Sequence, residues 1–123
     1  FEQAMGGKAM TIHGDGLQTR THTHIDDVID ALWRIEKLKI KNELINISAD
    51  EEISVQDITK KITGLLAIEG KISTTEYILD RIGQTKREVI DTRKLEKLTD
   101  WKPQVSFEEG MSRLYFWLKE QNK

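Results

Sequence analysis

The chain of 123 residues contains no cysteine. Neither a disulfide framework nor a cysteine-built zinc site can therefore form. That composition fits a reducing, cytoplasmic setting. The chain also carries little excess charge: its formal net charge is -2, with acids and bases mixed along its length. No lysine/arginine run marks a nucleic-acid footprint. No apolar stretch approaches the roughly 20 residues needed to span a bilayer, and no signal-peptide pattern opens the chain. Nucleic acid and membrane are not expected partners. The length fits a single domain over 1–123 that buries a core unaided. The opening "FEQAMGGKAM" lacks an initiator methionine and reads as the end of a helix running into a loop at Gly6-Gly7. The expectation is an excised part of a larger protein.

The rest of the chain predicts a small mixed α/β unit with short strands and about four helices. Residues 9 to 25 read as a β-hairpin or two short strands around a Gly14-Asp15-Gly16 turn. A period of two puts Arg20, His22 and His24 on one face and Thr19, Thr21, Thr23 and Ile25 on the other. Asp26 or Asp27 caps a helix whose apolar stripe is Val28, Ile29, Ala31, Leu32, Ile35 and Leu38. "LINIS" reads as a strand. Ser54 with Asp57 forms a capping box before a helix carrying Val55, Ile58, Ile62, Leu65 and Leu66. "KISTTEYIL" is extended, and "DRIGQTKREVID" is a loop followed by a short strand. "TRKLEKL" is a short helix stopped before Pro103, which disfavours helix at the preceding residue. Ser106 with Glu109 opens a last helix with Met111, Leu114, Tyr115, Trp117 and Leu118 inside.

The candidate chemistry is sparse. Gly14-x-Gly16 lacks the third glycine of a dinucleotide loop, and strand-like alternation follows where a helix should begin. A tight turn is the expected use of these glycines. His22-x-His24 could chelate a metal with His13 nearby, but no further ligand of fixed spacing completes a site. Half-buried, hydrogen-bonded imidazoles are expected instead. Arg20 after the turn and Arg81 in "DRIG" present planar donor forks suited to phosphate oxygens; two ordinary surface arginines are the plainer reading. Tyr115-x-x-x-Lys119 reads as a packed tyrosine and a solvated helix-end cation.

Taken together, "GDG", "QTR", "IDDV", "INIS", "DRIG" and "DTRKLEKLTDWKP" with "SFEEG" follow one another in a familiar order. In that order they resemble the C-terminal portion of the extended short-chain dehydrogenase/reductase family, the NAD-dependent nucleotide-sugar epimerases, dehydratases and decarboxylases. The resemblance runs from about Gly7 to Trp117. It implies a missing N-terminal Rossmann domain that holds NAD(P) and carries the catalytic Ser/Thr and Tyr-x-x-x-Lys. This chain then has no catalytic, cofactor-binding or metal-binding residue of its own, and NAD(P) belongs to the complete enzyme.

What remains is a grip on the nucleotide diphosphate of the sugar. By the resemblance, Arg20 contacts the substrate phosphates and Arg81 approaches the diphosphate or ribose. Ile12 and His13 stand where the base packs. Asn46, Asp27, Trp101 and Pro103 match scaffold positions. His22, Ser48, Gln84 and Asp100 depart from the family pattern; Asp100 can still adopt the left-handed helix end that glycine favours there. The resemblance implies a nucleotide-sugar substrate and an exposed apolar face that invites self-association. The alternative is a free-standing binding domain with no enzymatic parent.

Overall fold

The computed structural model describes residues 1–121. Nine elements follow in order: α1 (Glu2–Met5), β1 (Met10–His13), β2 (Thr19–Thr21), α2 (Ile25–Lys37), β3 (Glu52–Ser54), α3 (Val55–Ala67), β4 (Thr75–Ile78), α4 (Arg93–Thr99) and α5 (Phe107–Gln121). The α/β class with short strands is as the sequence implies, with α1 as a fifth, one-turn helix.

The strands make two small sheets. β1 pairs parallel with β4, from Met10 opposite Thr75 to His13 opposite Ile78. β2 pairs antiparallel with β3, with Arg20 opposite Ile53. Of the two arrangements open for residues 9 to 25, two separate strands form. The glycine turn joins β1 and β2, but each finds its partner elsewhere.

Helix ends follow local chemistry. The Ser54 hydroxyl accepts from Asp57 N at 3.0 Å, and the Ser106 hydroxyl accepts from Glu109 N at 3.2 Å, so both serines cap as their spacing requires. Asp100 ends α4 in the left-handed region at φ 53. The cap of α2 differs from the aspartate expected. It is His24, whose Nδ1 accepts from Asp26 N at 3.2 Å. An unprotonated imidazole nitrogen serves as an acceptor just as a carboxylate does.

Asp27, released from capping, is buried. Its two carboxylate oxygens accept from Gln104 N at 3.0 Å and Val105 N at 3.1 Å. This ties the start of α2 to the chain entering α5.

Two apolar clusters hold the fold. Ala4, Met10, Ile62, Leu65, Leu66 and Tyr115 form one, between α1, β1, α3 and α5. Ala31, Leu95 and Trp101 form the other, backed by Ile35, Ile45 and Ile47. Burying a side chain of the size of Leu66 stabilises by about 1.5–3 kcal/mol. The stripe expected on α2 is split. Ala31 is buried, whereas Ile29, Leu32 and Leu38 of that stripe are each more than half exposed, as are Ile25 and Trp33 beside them. α5 divides in the same way, with Tyr115 buried and Leu114, Phe116 and Trp117 exposed.

Residues 44–48 do not form the expected strand. Leu44 is 87% exposed, while Ile45 and Ile47 turn inward against the second cluster. The segment is attached through side chains: the Ser48 hydroxyl donates to Thr21 Oγ1 at 2.6 Å, and Ala49 N donates to Thr23 Oγ1 at 2.9 Å. A strand needs a backbone partner, and none of the described strands lies along it. The short strand expected before Asp91 is likewise a single bridge, Arg87 to Thr19. No helix among the described residues is long and apolar enough to cross a membrane.

Candidate functional site

The glycine turn is closed by protein. Gly14 and Gly16 sit at φ 71 and 74. A Cβ on Gly14 would meet the Asp80 carboxylate at 2.9 Å, and one on Gly16 would meet Ile12 Cγ2 and Gln56 Cγ at 3.0 Å. Asp15 Oδ1 accepts from Leu17 N at 2.9 Å, and Gln56 Nε2 donates to Asp15 O at 2.9 Å. The glycine surfaces are therefore filled by side chains rather than open to a phosphate. β2 follows the turn, not a helix, so this stretch does not fit a dinucleotide.

The loop after β4 organises the predicted residues. His13 ends β1, and its Nδ1 lies 3.3 Å from Leu79 O. Asp80 packs beneath Gly14 and accepts from Arg81 N at 2.9 Å and Lys86 Nζ at 2.6 Å. Lys86, then the Arg81 backbone, and also the charge of His13 hold the Asp80 carboxyl below its ordinary range. Arg81 is exposed. Within residues 80–88 it is the cation without an acidic partner among the described residues, since Lys86 pairs with Asp80 and Arg87 with Glu52.

Arg20 reaches the far end of the same loop. Its Nη2 donates to Thr85 O at 2.8 Å, its Nη1 to Thr19 O at 2.8 Å, and its Nε lies 3.1 Å from Glu88 Oε2. The backbone closes the same contact. Thr19 N donates to Lys86 O at 3.0 Å, and Glu88 N donates to Thr19 O at 3.2 Å. A second clasp stands beside it: Arg87 grips Glu52 through Nε and Nη2, and Glu52 also accepts from the Thr19 hydroxyl. The Arg87 hydrogen bonds, with help from Thr19, bring the Glu52 carboxyl down to about 2.

Three of the four predicted residues thus meet one loop. His13 and Arg81 stand at its start, and Arg20 crosses to its end. The fourth, Ile12, is corrected: it is 1% exposed and packs under Gly16, which leaves its side chain no surface for a base. The loop residues around them that sequence reasoning did not single out are Asp80, Thr85, Lys86, Arg87 and Glu88. The one signal for them was the alternation of charge in "DRIGQTKRE".

The histidines separate. The His22 ring tilts against Phe107 with centroids 5.9 Å apart. Burial first, and the neighbouring Arg20 charge second, push its imidazole below the ordinary value. His24 is spent on the α2 cap. Among the described residues, no group of three or more histidine or acidic side chains is arranged to hold a metal ion. Lys119 is not merely solvated: it pairs with Glu69. Burial and that same carboxylate push the Tyr115 hydroxyl up. An apolar groove of about 550 Å³ lies between the start of α2 and α5, bordered by His22, His24, Phe107, Met111, Leu114 and Trp117 among others; the predicted residues do not line it.

Comparison with known proteins places the chain among the extended short-chain dehydrogenases/reductases. Among them it belongs to the GDP-mannose 4,6 dehydratase family, whose profile matches residues 2–114. It is 36% identical over 115 residues to UDP-glucuronate 4-epimerase of Thermodesulfobacterium geofontis, covering 92% of this chain and 34% of that protein. It is 34% identical over 108 residues to GDP-mannose 3,5-epimerase of Arabidopsis thaliana, covering 88% and 27%. Among solved structures, it superposes on UDP-glucuronic acid 4-epimerase from Bacillus cereus in complex with UDP-glucuronic acid and NAD. There the TM-score is 0.83 at 32% identity, over 98% of this chain and 38% of that one. The chain spans from 17% to 38% of the length of the curated relatives it matches.

Proposed function

We propose that this chain is the substrate-gripping C-terminal part of an NAD-dependent nucleotide-sugar epimerase or dehydratase, not catalytic by itself. The observation that carries the reading is that the loop after β4 bears Arg81 and is touched by His13 at Leu79 and by Arg20 at Thr85 and Glu88. A diphosphate is best held by forked donors from two directions. Arg20 supplies one fork from β2, and Arg81 supplies a second, acid-free fork from the loop. His13 offers a flat ring beside them for a base. The chain's share of the reaction is to bind the nucleotide end, so that remote binding energy positions the sugar. In the complete enzyme NAD supplies the hydride chemistry, held by residues beyond this chain.

Two further observations support the reading. The chain spans well under half of each relative. The stripe Ile25, Ile29, Leu32 and Trp33 on α2 and the unpaired 44–48 segment leave apolar surface open. The missing Rossmann domain of the same parent chain would cover them. These open faces count against a free-standing binding domain.

The test is titration of the chain with UDP-glucose, GDP-mannose and dTDP-glucose, each with and without NAD. Weak binding of at least one and turnover of none is the expected result. Turnover by the chain alone would overturn the non-catalytic assignment, and binding of none would overturn the grip.

A further inference from the structure

We infer that Glu88 is a built-in anion that occupies Arg20 until a diphosphate displaces it, so that Glu88 sets how much negative charge a ligand needs to enter. This inference rests on the diphosphate-gripping reading of Arg20. A guanidinium has five N–H donors. Arg20 spends one on its own Thr19 carbonyl and one on Thr85 O, and its Nε stands 3.1 Å from a Glu88 carboxylate oxygen as an ion pair. The first two partners are fixed backbone atoms. The third is a side chain that is 54% exposed, and it is the one partner of the three that can leave.

The loop does not depend on that carboxylate. Glu88 is anchored by its own N–H to Thr19 O at 3.2 Å. Its neighbour Arg87 holds Glu52 through two donors, and Lys86 holds Asp80. The Glu88 side chain can therefore rotate into water while the loop stays clasped. The exchange is one anion for another at the same cation. A ligand that reaches Arg20 alone gains little over Glu88. A diphosphate reaching both Arg20 and Arg81 gains a second cation that Glu88 does not touch. If the carboxylate stayed in place, it would repel the incoming phosphate, so its departure is favoured.

The experiment compares the wild-type chain, Glu88→Gln, Arg20→Ala and the Arg20→Ala/Glu88→Gln double variant. Each is titrated with UDP, GDP and dTDP and with the matching monophosphates. Exposed ion pairs are worth about 0.2–1 kcal/mol. Glu88→Gln should accordingly tighten the bound diphosphate by about 1.4- to 5-fold at low salt. It should tighten the monophosphate by more, narrowing the difference between them. The gain should vanish in the Arg20→Ala background. Matched thermal melts of the single variants report whether the fold is kept; Glu88→Thr, which also retains the backbone bond, serves if Glu88→Gln is unstable. Diphosphate binding that is unchanged or weaker in both Glu88 variants overturns the role of Glu88 and leaves the grip standing. A gain that persists without Arg20 overturns it too. Failure of every chain to bind any of the nucleotides overturns the grip itself, and this inference with it.

Discussion

The indole Nε1 of Trp101 donates to the backbone carbonyl of Asp27 at 3.1 Å, across 74 positions of sequence. Trp101 is 1% exposed. The same aspartate takes two backbone N–H groups with its carboxylate, so one residue fixes the start of α2 against both the end of α4 and the entry to α5. Asp27→Ala would strand Gln104 N and Val105 N. Both bonds are part-buried, so at the lower part of the range, about 1–2 kcal/mol for each group left unsatisfied, the expected loss is about 2–4 kcal/mol. The urea midpoint measures it; a loss below about 1 kcal/mol would refute the anchoring role.

Arginine replacement separates binding from folding. Arg81 is exposed and makes no side-chain ion pair within its loop. In the complete enzyme, Arg81→Ala should weaken nucleotide-sugar binding by about 1.5–3 kcal/mol, the range for a hydrogen bond to a charged group, without altering the melting temperature. Arg20→Ala should weaken binding comparably but also lower stability by about 0.5–1.5 kcal/mol, because it frees Thr85 O as well. Arg20→Lys should rescue in part, having charge without the fork. Equal binding by Arg81→Ala and wild type would remove Arg81 from the site.

Acid should weaken the fold in two separate windows. His22 has a lowered value in the folded chain, so the unfolded chain takes up a proton first as pH falls below about 6.5. Its contribution is whole above that point, shrinks as pH drops towards the folded value, and is constant below it. Glu52 and Glu69, both brought down to about 2, contribute above the unfolded carboxylate value of about 4.3 and lose their contribution between there and about 2. Urea midpoints from pH 8 to pH 3 trace both windows. His22→Phe should remove the upper decline and leave the lower; a decline of the same size in that variant would clear His22.

Gly14 tolerates no side chain. Its positive φ costs an L-residue about 1–2 kcal/mol, and a Cβ would drive into Asp80. Gly14→Ala should destabilise by about 2 kcal/mol or more and loosen the loop that bears Arg81. A loss of only about 1–2 kcal/mol, the backbone cost alone, would show that Asp80 steps aside, and one under about 0.5 kcal/mol would refute the positive-φ argument as well.

The apolar stripe on α2 should drive association of the chain by itself. Ile29→Glu with Trp33→Lys places charge on that face without touching Ala31. Sedimentation at rising concentration should show self-association in the wild-type chain and its loss in the double variant. Concentration-independent sedimentation of the wild type would contradict this.

What was legible in the sequence was whatever is decided locally. Ser54 and Ser106 cap the helices they precede because a capping serine acts within three residues. Asp100 could be read as a left-handed end for the same reason. The alternation at 19–24 is also real: Thr21 and Thr23 both face the 48–49 segment. Pairing is not local. "LINIS" has a strand's composition but lacks a partner here, and the turn at Gly14 does not say that its two strands part company. His24 took the cap because an imidazole accepts when neutral, a role that a propensity for Asp hides. In the site, Arg20 was legible as a fork after a turn. The groups that hold it, Thr85 and Glu88, lie more than sixty residues on, where no spacing rule reaches.

The parallel pair of β1 and β4 sets an order of events in time. Its partners are separated by β2, α2, β3 and α3, and closing so long a loop costs entropy before any ladder bond repays it. The clasp between β2 and the 80–88 segment joins residues equally far apart. Helices α3 and α5 dock through Leu65, Leu66 and Tyr115, and burial of those side chains is expected to offset that entropy. The stretch proposed to grip phosphate is therefore expected to be among the last parts of the chain to acquire its shape and among the first to lose it on warming. Hydrogen exchange at Gly14 N and Thr19 N would run ahead of exchange in α3.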